Sequence, residues 1–302
     1  MTALPAEHVA LSEPRAARTP KRHSLPYIIR EVWGARELVM QFVQRDIKIR
    51  YAQALFGFLW ALLMPVLIVC SGLVFRLVIS SLSGQPLENS SIASLAVKSL
   101  PWAFFSSAIS IATQSIISYS GLIGKVYFPR EALPLSAVIA QLFDFVIGAA
   151  AIFVLLVVVG VTPHMTAFWS LPLLTLFLMF TTGMALLLSC ANLFFRDVKY
   201  IVQVMLNFGV FATPIFFEPY MLGERGSRVM MALPLSPFIE GLNVSIVQGH
   251  SLLETVYHET AKGAVLGWSP WYLLYAATSA TLTLLVGAWT FRHFSGKFAE
   301  MA

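Results

Sequence analysis

The sequence predicts an all-α polytopic membrane protein. Six transmembrane helices follow an N-terminal cytoplasmic interfacial helix, with re-entrant half-helices between spans five and six. Three observations predict it. Of 302 residues, 58% are hydrophobic and only 12% charged, with mean hydropathy +0.76, where soluble domains carry about 25% charged residues. Several apolar runs are long enough to cross a hydrocarbon core of ~30 Å. The basic residues are unevenly shared between the two sides of those runs, as membrane orientation requires. Cys70 and Cys190 both fall inside apolar runs and read as small buried hydrophobes, not as a disulfide framework or zinc site. The surplus of 20 Lys+Arg over 15 Asp+Glu reads as topology rather than nucleic-acid binding.

Residues 1–25, rich in Ala, Pro and Arg, lack the apolar core of a signal peptide and read as a disordered cytoplasmic tail ahead of a transmembrane domain at 26–302. At 33–52, Leu38, Val39, Phe42, Val43 and Ile47 recur at helical spacing opposite Glu37, Gln41, Gln44, Arg45 and Lys48. A helix with that basic polar face lies in the membrane interface. The first span is placed at about 55–78, with Pro65 expected to kink it. Residues 80–97 read as a polar loop. The further spans are placed at about 100–118, 134–159, 168–193, 200–217 and 271–291. The fifth is the shortest and holds Gln203, Asn207, Gly209 and Pro214. Between spans five and six, 233–247 is apolar but too short and too polar to cross, hence the expected half-helices dipping in from the outer face. Nine Lys/Arg in the N-terminal segment share a side with Lys125, Arg130, Arg196, Lys199, Arg292 and Lys297. Only Arg76, Lys98, Arg225, Arg228 and Lys262 fall opposite, so both termini are expected in the cytoplasm.

Few residues invite chemistry. Gly121, Gly124 and Lys125 lack the spacing and the Ser/Thr of a phosphate-binding loop. Six spans leave no room for an ATPase domain, so any energy source is expected on another chain. His250, Glu254 and His258 are four apart and would share a helix face, but no fourth ligand is evident and no metal is expected. Asp144 is the acidic residue well inside a span, read either as interhelical glue or as functional. One lone carboxylate does no paired acid–base work. Aromatic residues placed where they could line a pathway are Tyr51 and Trp60 near the cytoplasmic mouth and Phe208, Phe211 and Tyr220 further out, with interhelical packing as the alternative. Phe208, Phe211, Ala212 and Ile215 are expected on one side of the fifth span.

The segment 119–131 holds two glycines, a proline and three charges between long apolar runs. Its Lys125, Val126, Tyr127, Phe128, Pro129, Arg130 and Glu131 resemble the cytoplasmic coupling loop of type-2 ABC exporter permeases of the polysaccharide, O-antigen and teichoic-acid export branch. Gln44 to Tyr51 running on to Trp60, Phe195-Arg196-Asp197-Val198, and Leu235-Ser236-Pro237-Phe238 are similar to that family's opening, its turn between spans four and five, and its re-entrant outer region. The resemblance covers roughly 35–300 and leaves out the tail. It implies a non-enzymatic homodimeric permease in the bacterial inner membrane, served by two copies of a cytoplasmic ABC ATPase that bind ATP and Mg. It further implies export of a lipid-linked polysaccharide. In the coupling loop Tyr127 and Phe128 would anchor the ATPase and Arg130 and Glu131 set the register. The competing readings are a drug- or lipid-exporting permease of the same superfamily and a membrane enzyme acting on polyprenyl-linked sugars.

Overall fold

The computed structural model describes residues 30–31, 33–52, 59–83, 88–123, 128–162, 164–260 and 263–295. The expected tail therefore lies outside the described residues. Helix α1 (Arg36–Tyr51) carries Glu37 in its first turn and Lys48 and Arg50 in its last, which suits the helix dipole at both ends. It lays Val39, Phe42 and Val43, spaced three and four apart, against the rest of the chain. Helix α2 (Leu59–Ser83) contains Pro65 without ending there. Helix α3 (Asn89–Ser118) is the hub. Every residue from Ala93 to Phe105 is buried, and the helix contacts α2 and the four helices that follow in the core.

These are α4 (Ala132–Val159), α5 (Ser170–Phe194), α6 (Val198–Ala212) and, after α7 (Gly223–Met231), the short α8 (Ser236–Ile246). Gly160, at φ +81°, closes α4 in the left-handed conformation that a Cβ disfavours. A two-stranded antiparallel hairpin, β1 (Val256–Thr260) and β2 (Gly263–Trp268), leads into α9 (Pro270–Ser295). The hairpin departs from the all-helical expectation. Val256, Val265 and Trp268 are buried beneath it, and the Trp268 indole donates to the Leu252 carbonyl at 2.9 Å.

By length and hydropathy α3, α4, the stretch Met165–Phe194 and α9 can each cross a membrane, while Pro65–Val78 of α2 and α6 are shorter apolar helices. Two boundaries correct the sequence reading. The second long helix begins at Asn89, not 100, because Ser94, read as loop, and Lys98, counted with the outer-side charges, are buried against carboxylates described below. The fifth ends at Ala212, not 217. Thr213 turns to extended backbone (ψ 159°) because the residue before Pro214 is sterically driven out of the helix. Ile215 is consequently fully buried while Phe208, Phe211 and Ala212 are exposed, so the four do not share a side.

Since lipid is as apolar as leucine, tight contact rather than water exclusion holds such helices together. The α5–α9 pair shows it. A Cβ on Gly183 would sit 2.5 Å from the Thr283 carbonyl carbon, and one on Gly287 would sit 2.4 Å from the Gly183 oxygen. At the centre, Phe104, Phe105, Phe177, Phe180 and Phe238 stack and tilt against one another at centroid distances of 5.5 to 6.3 Å.

Candidate functional site

The expected coupling segment is knitted into the fold. Lys125, Val126 and Tyr127 lie outside the described residues. Phe128, only 7% exposed, packs on Phe42 of α1 (5.8 Å), which also meets Tyr119 edge-on (5.3 Å). Tyr119 donates to Asp46 at 2.6 Å and carries the Arg45 guanidinium over its ring at 4.6 Å. Burial first, and then the Asp46 hydrogen bond, push the Tyr119 phenol well above its usual range. Arg130 donates to the Ser295 carbonyl, and buried Glu131 accepts from Arg292 Nε at 3.1 Å. Phe128 and Glu131 thus face their own chain in this structure. A ring leaving the loop finds the apolar face of α1 and Leu133, Leu186 and Phe291 beside it.

Asp144 receives hydrogen bonds from both Arg50 and Tyr51. The intramembrane carboxylate is therefore the post to which the end of α1 is tied on α4. Burial, then the bond to Asp144, raises the Tyr51 phenol to about 12, so Tyr51 is a neutral donor engaged within the chain. Trp60 lies in the first turn of α2, its side chain outside the described residues. On α6, Phe208 and Phe211 are 69% and 56% exposed. Tyr220 is apart from them, half-buried and stacked on His258 at 4.4 Å. His258 belongs to β1 and Glu254 to the turn before it, so the helix face on which His250, Glu254 and His258 would have met does not form.

Beside Phe211 a recess of about 660 Å³ opens between α2, α3 and α6, lined by Ser71, Trp102, Ser107, Ser110, Gln203 and Asn207 among apolar neighbours. Gln203 donates to Asn207 one turn on, at 3.3 Å.

Above the recess lies a feature the sequence reading missed. Glu218, after α6, accepts from Arg76 (2.6 Å), Ser94 (2.7 Å) and Lys98, and Lys98 also meets Glu240 of α8 at 2.8 Å. Asn243 donates to Glu240 at 3.1 Å. Lys98 is 0% exposed, and all four charged groups are buried. Burial alone would raise Glu218, but Lys98 and Arg76 outweigh it and hold the carboxyl below its ordinary value. For Glu240, burial together with the Glu218 charge outweighs Lys98 and the Asn243 hydrogen bond, and the carboxyl is raised. Arg76 and Lys98, counted on the outer side in the orientation argument, are buried in ion pairs. The available signal was Glu240 inside an apolar segment, which demanded a cationic partner.

Comparison with known proteins matches residues 37–247 to the ABC-2 type transporter family. The chain is 32% identical over 215 residues to the O-antigen export system permease protein RfbA of Myxococcus xanthus, covering 70% of this chain and 80% of that protein. It is 28% identical over 204 residues to a protein of the same name from Klebsiella pneumoniae, covering 67% and 77% respectively.

Proposed function

Because the chain belongs to the ABC-2 type transporter family, we propose that it is the membrane-spanning subunit of an ATP-driven exporter of lipid-linked O-antigen polysaccharide. The relatives' printed name supplies the substrate class. The protein is a permease and not an enzyme. The observation that carries the reading is the α6 wall. This helix has 15 residues, about 22 Å at 1.5 Å per residue, too short for a ~30 Å core. It presents Gln203, Asn207, Phe208 and Phe211 outward. Amides are poor company for lipid, whereas flat rings beside neutral amides suit a glycan with its apolar C–H faces and hydroxyl edges. Unaided crossing is prohibitive, since each unpaired hydroxyl taken into hydrocarbon costs roughly 2–7 kcal/mol.

In this reading α2, and α6 together with the non-helical stretch 213–217 that follows it, complete six spans, with both termini in the cytoplasm of a bacterial inner-membrane protein. Helices α7 and α8 form the re-entrant outer region. Two copies of the chain enclose the path at their two-fold axis. Two cytoplasmic ABC ATPase subunits carry ATP and Mg, and dock around Lys125, Val126, Tyr127 and Pro129. The rival reading, a drug or lipid exporter of the same superfamily, predicts a different phenotype on deletion.

The test is a strain lacking the chain, complemented by wild type or by Phe208→Leu with Phe211→Leu, scored for surface polymer and for lipid-linked polymer held inside. Export loss on deletion, and a fall in the double variant at normal protein level, is the expected result. Undiminished surface polymer in the deletion strain refutes the assignment, and altered drug resistance with normal polymer favours the rival.

A further inference from the structure

Two kinds of exposed helix face occur at membrane depth. On α4, Val146, Val154 and Val158 are open and wholly apolar, as a lipid-facing surface should be. The recess between α2, α3 and α6 is different. Ser107 and Ser110, three apart on α3, line it, and their hydroxyls make no protein hydrogen bond among the described residues. Serines in helices commonly donate to a backbone carbonyl one turn back, as Ser106 does to Ala103 at 3.2 Å. Across the recess, Gln203 donates to Asn207 Oδ1, which leaves the Asn207 N–H groups and the Gln203 carbonyl without protein partners among the described residues.

Trp102 lies across the same space. Its Cη2 stands 2.7 Å from where a Cβ on Gly209 would be, so the glycine admits the indole between α3 and α6. The lining contains no Asp, Glu, Lys or Arg. A volume of about 660 Å³ lies within the ~300–1,000 Å³ of small-molecule sites, enough for a segment of polymer.

We propose that this recess is a sugar-binding subsite that takes uncharged, hydroxyl-rich rings of the exported polymer, with Ser107, Ser110, Gln203 and Asn207 exchanging hydrogen bonds and Trp102 as an apolar floor. The proposal rests on the export reading above. Neutral hydroxyls and amides fit neutral hydroxyls, because each can donate or accept as the ring slides past. A phosphate or carboxylate on the ring would enter this site without a counter-charge, so the recess selects for neutral units. An acyl or polyprenyl chain would leave the hydroxyls and amides unpaired.

The experiment places three versions of the full chain, together with its ATPase partner, in the deletion strain. One is wild type, one is Ser107→Val/Ser110→Val/Asn207→Leu, and one is the conservative Ser107→Thr/Ser110→Thr/Asn207→Gln. Surface polymer, self-association by cross-linking and ATPase co-purification are measured in each. The apolar triple is expected to lower surface polymer about tenfold, as loss of two neutral hydrogen bonds would. The conservative triple should stay within about threefold of wild type, since its donors and acceptors remain. Gly209→Ala, which pushes Trp102 into the recess while leaving every polar group, should also lower export. Wild-type export by the apolar triple overturns the subsite while leaving the export reading intact. Loss of self-association by that variant also overturns it, by making the recess a contact between copies. Normal surface polymer in the empty deletion strain removes the export reading itself, and the subsite with it.

Discussion

Lys98→Met tests the buried charge network most directly. The ammonium is fully buried and joins two carboxylates, Glu218 and Glu240. After its removal Glu218 keeps Arg76 and Ser94, but Glu240 keeps only the Asn243 amide. Removing one partner of a buried ion pair costs about 3–5 kcal/mol, because the other charge stays behind. Glu240 can escape part of that by taking up a proton, since burial already raises it and Lys98 was the main influence opposing the rise. The lower end, about 3 kcal/mol, is therefore expected. At roughly 2–4 °C per kcal/mol for a chain of this size, the midpoint should fall by roughly 6–12 °C. The assay is the folded fraction of detergent-purified protein after stepwise heating, read by size exclusion. Lys98→Met with Glu240→Gln should recover about half of the loss, because the stranded carboxyl is gone. A single variant within about 2 °C of wild type, or a double variant less stable than the single, would refute the argument.

Gly183→Ala should separate α5 from α9, because its Cβ meets backbone, which cannot rotate away, at 2.5 Å. A cost of about 1–3 kcal/mol or more is expected in the same heating assay, with Gly121→Ala, which meets nothing within 4 Å, as the neutral control. In a cysteine-free background, cysteines at His164 and Arg225 should react with an impermeant thiol reagent from outside, and one at Arg196 only after permeabilisation. The reverse pattern would overturn the orientation.

The long helices were legible because hydrophobic length carries their information, and α4, α5 and α9 fall close to the limits read for them. What failed was the assumption that polar means exposed. Ser94 and Lys98 look like exposed polar residues, yet they lie in the first half of α3, the most buried of the candidate spans, because their partners arrive from more than a hundred residues away at Glu218 and Glu240. No local pattern encodes a pairing at that separation. Phe128 shows the opposite case. Beside a proline and charges it looked like a surface anchor, but Phe42 offered a nearer apolar face. The hairpin was missed because its five- and six-residue strands lie in a segment whose 250–258 spacing suggested a helix.

The candidate site divides along the same line. Exposed aromatics on α6 could be read from one helix alone, since a short apolar run holding two amides cannot be an ordinary lipid-facing span. The recess could not, because it needs α2, α3 and α6 together. Its serines belong to a helix whose other side faces α4 and α5, so their direction is set by tertiary packing rather than composition. Charge is distributed accordingly. Four buried charged groups, Arg76, Lys98, Glu218 and Glu240, gather between α2, α3, the segment after α6 and α8, where each cation meets a carboxylate. The recess beside them is left with neutral polar groups and one indole. Paired charges can fix these ends of the helices without holding a passing sugar, while neutral groups can contact it and let it go. A charge moved from the first place to the second would both loosen the fold and fix the substrate, which is why the separation of the two matters for transport.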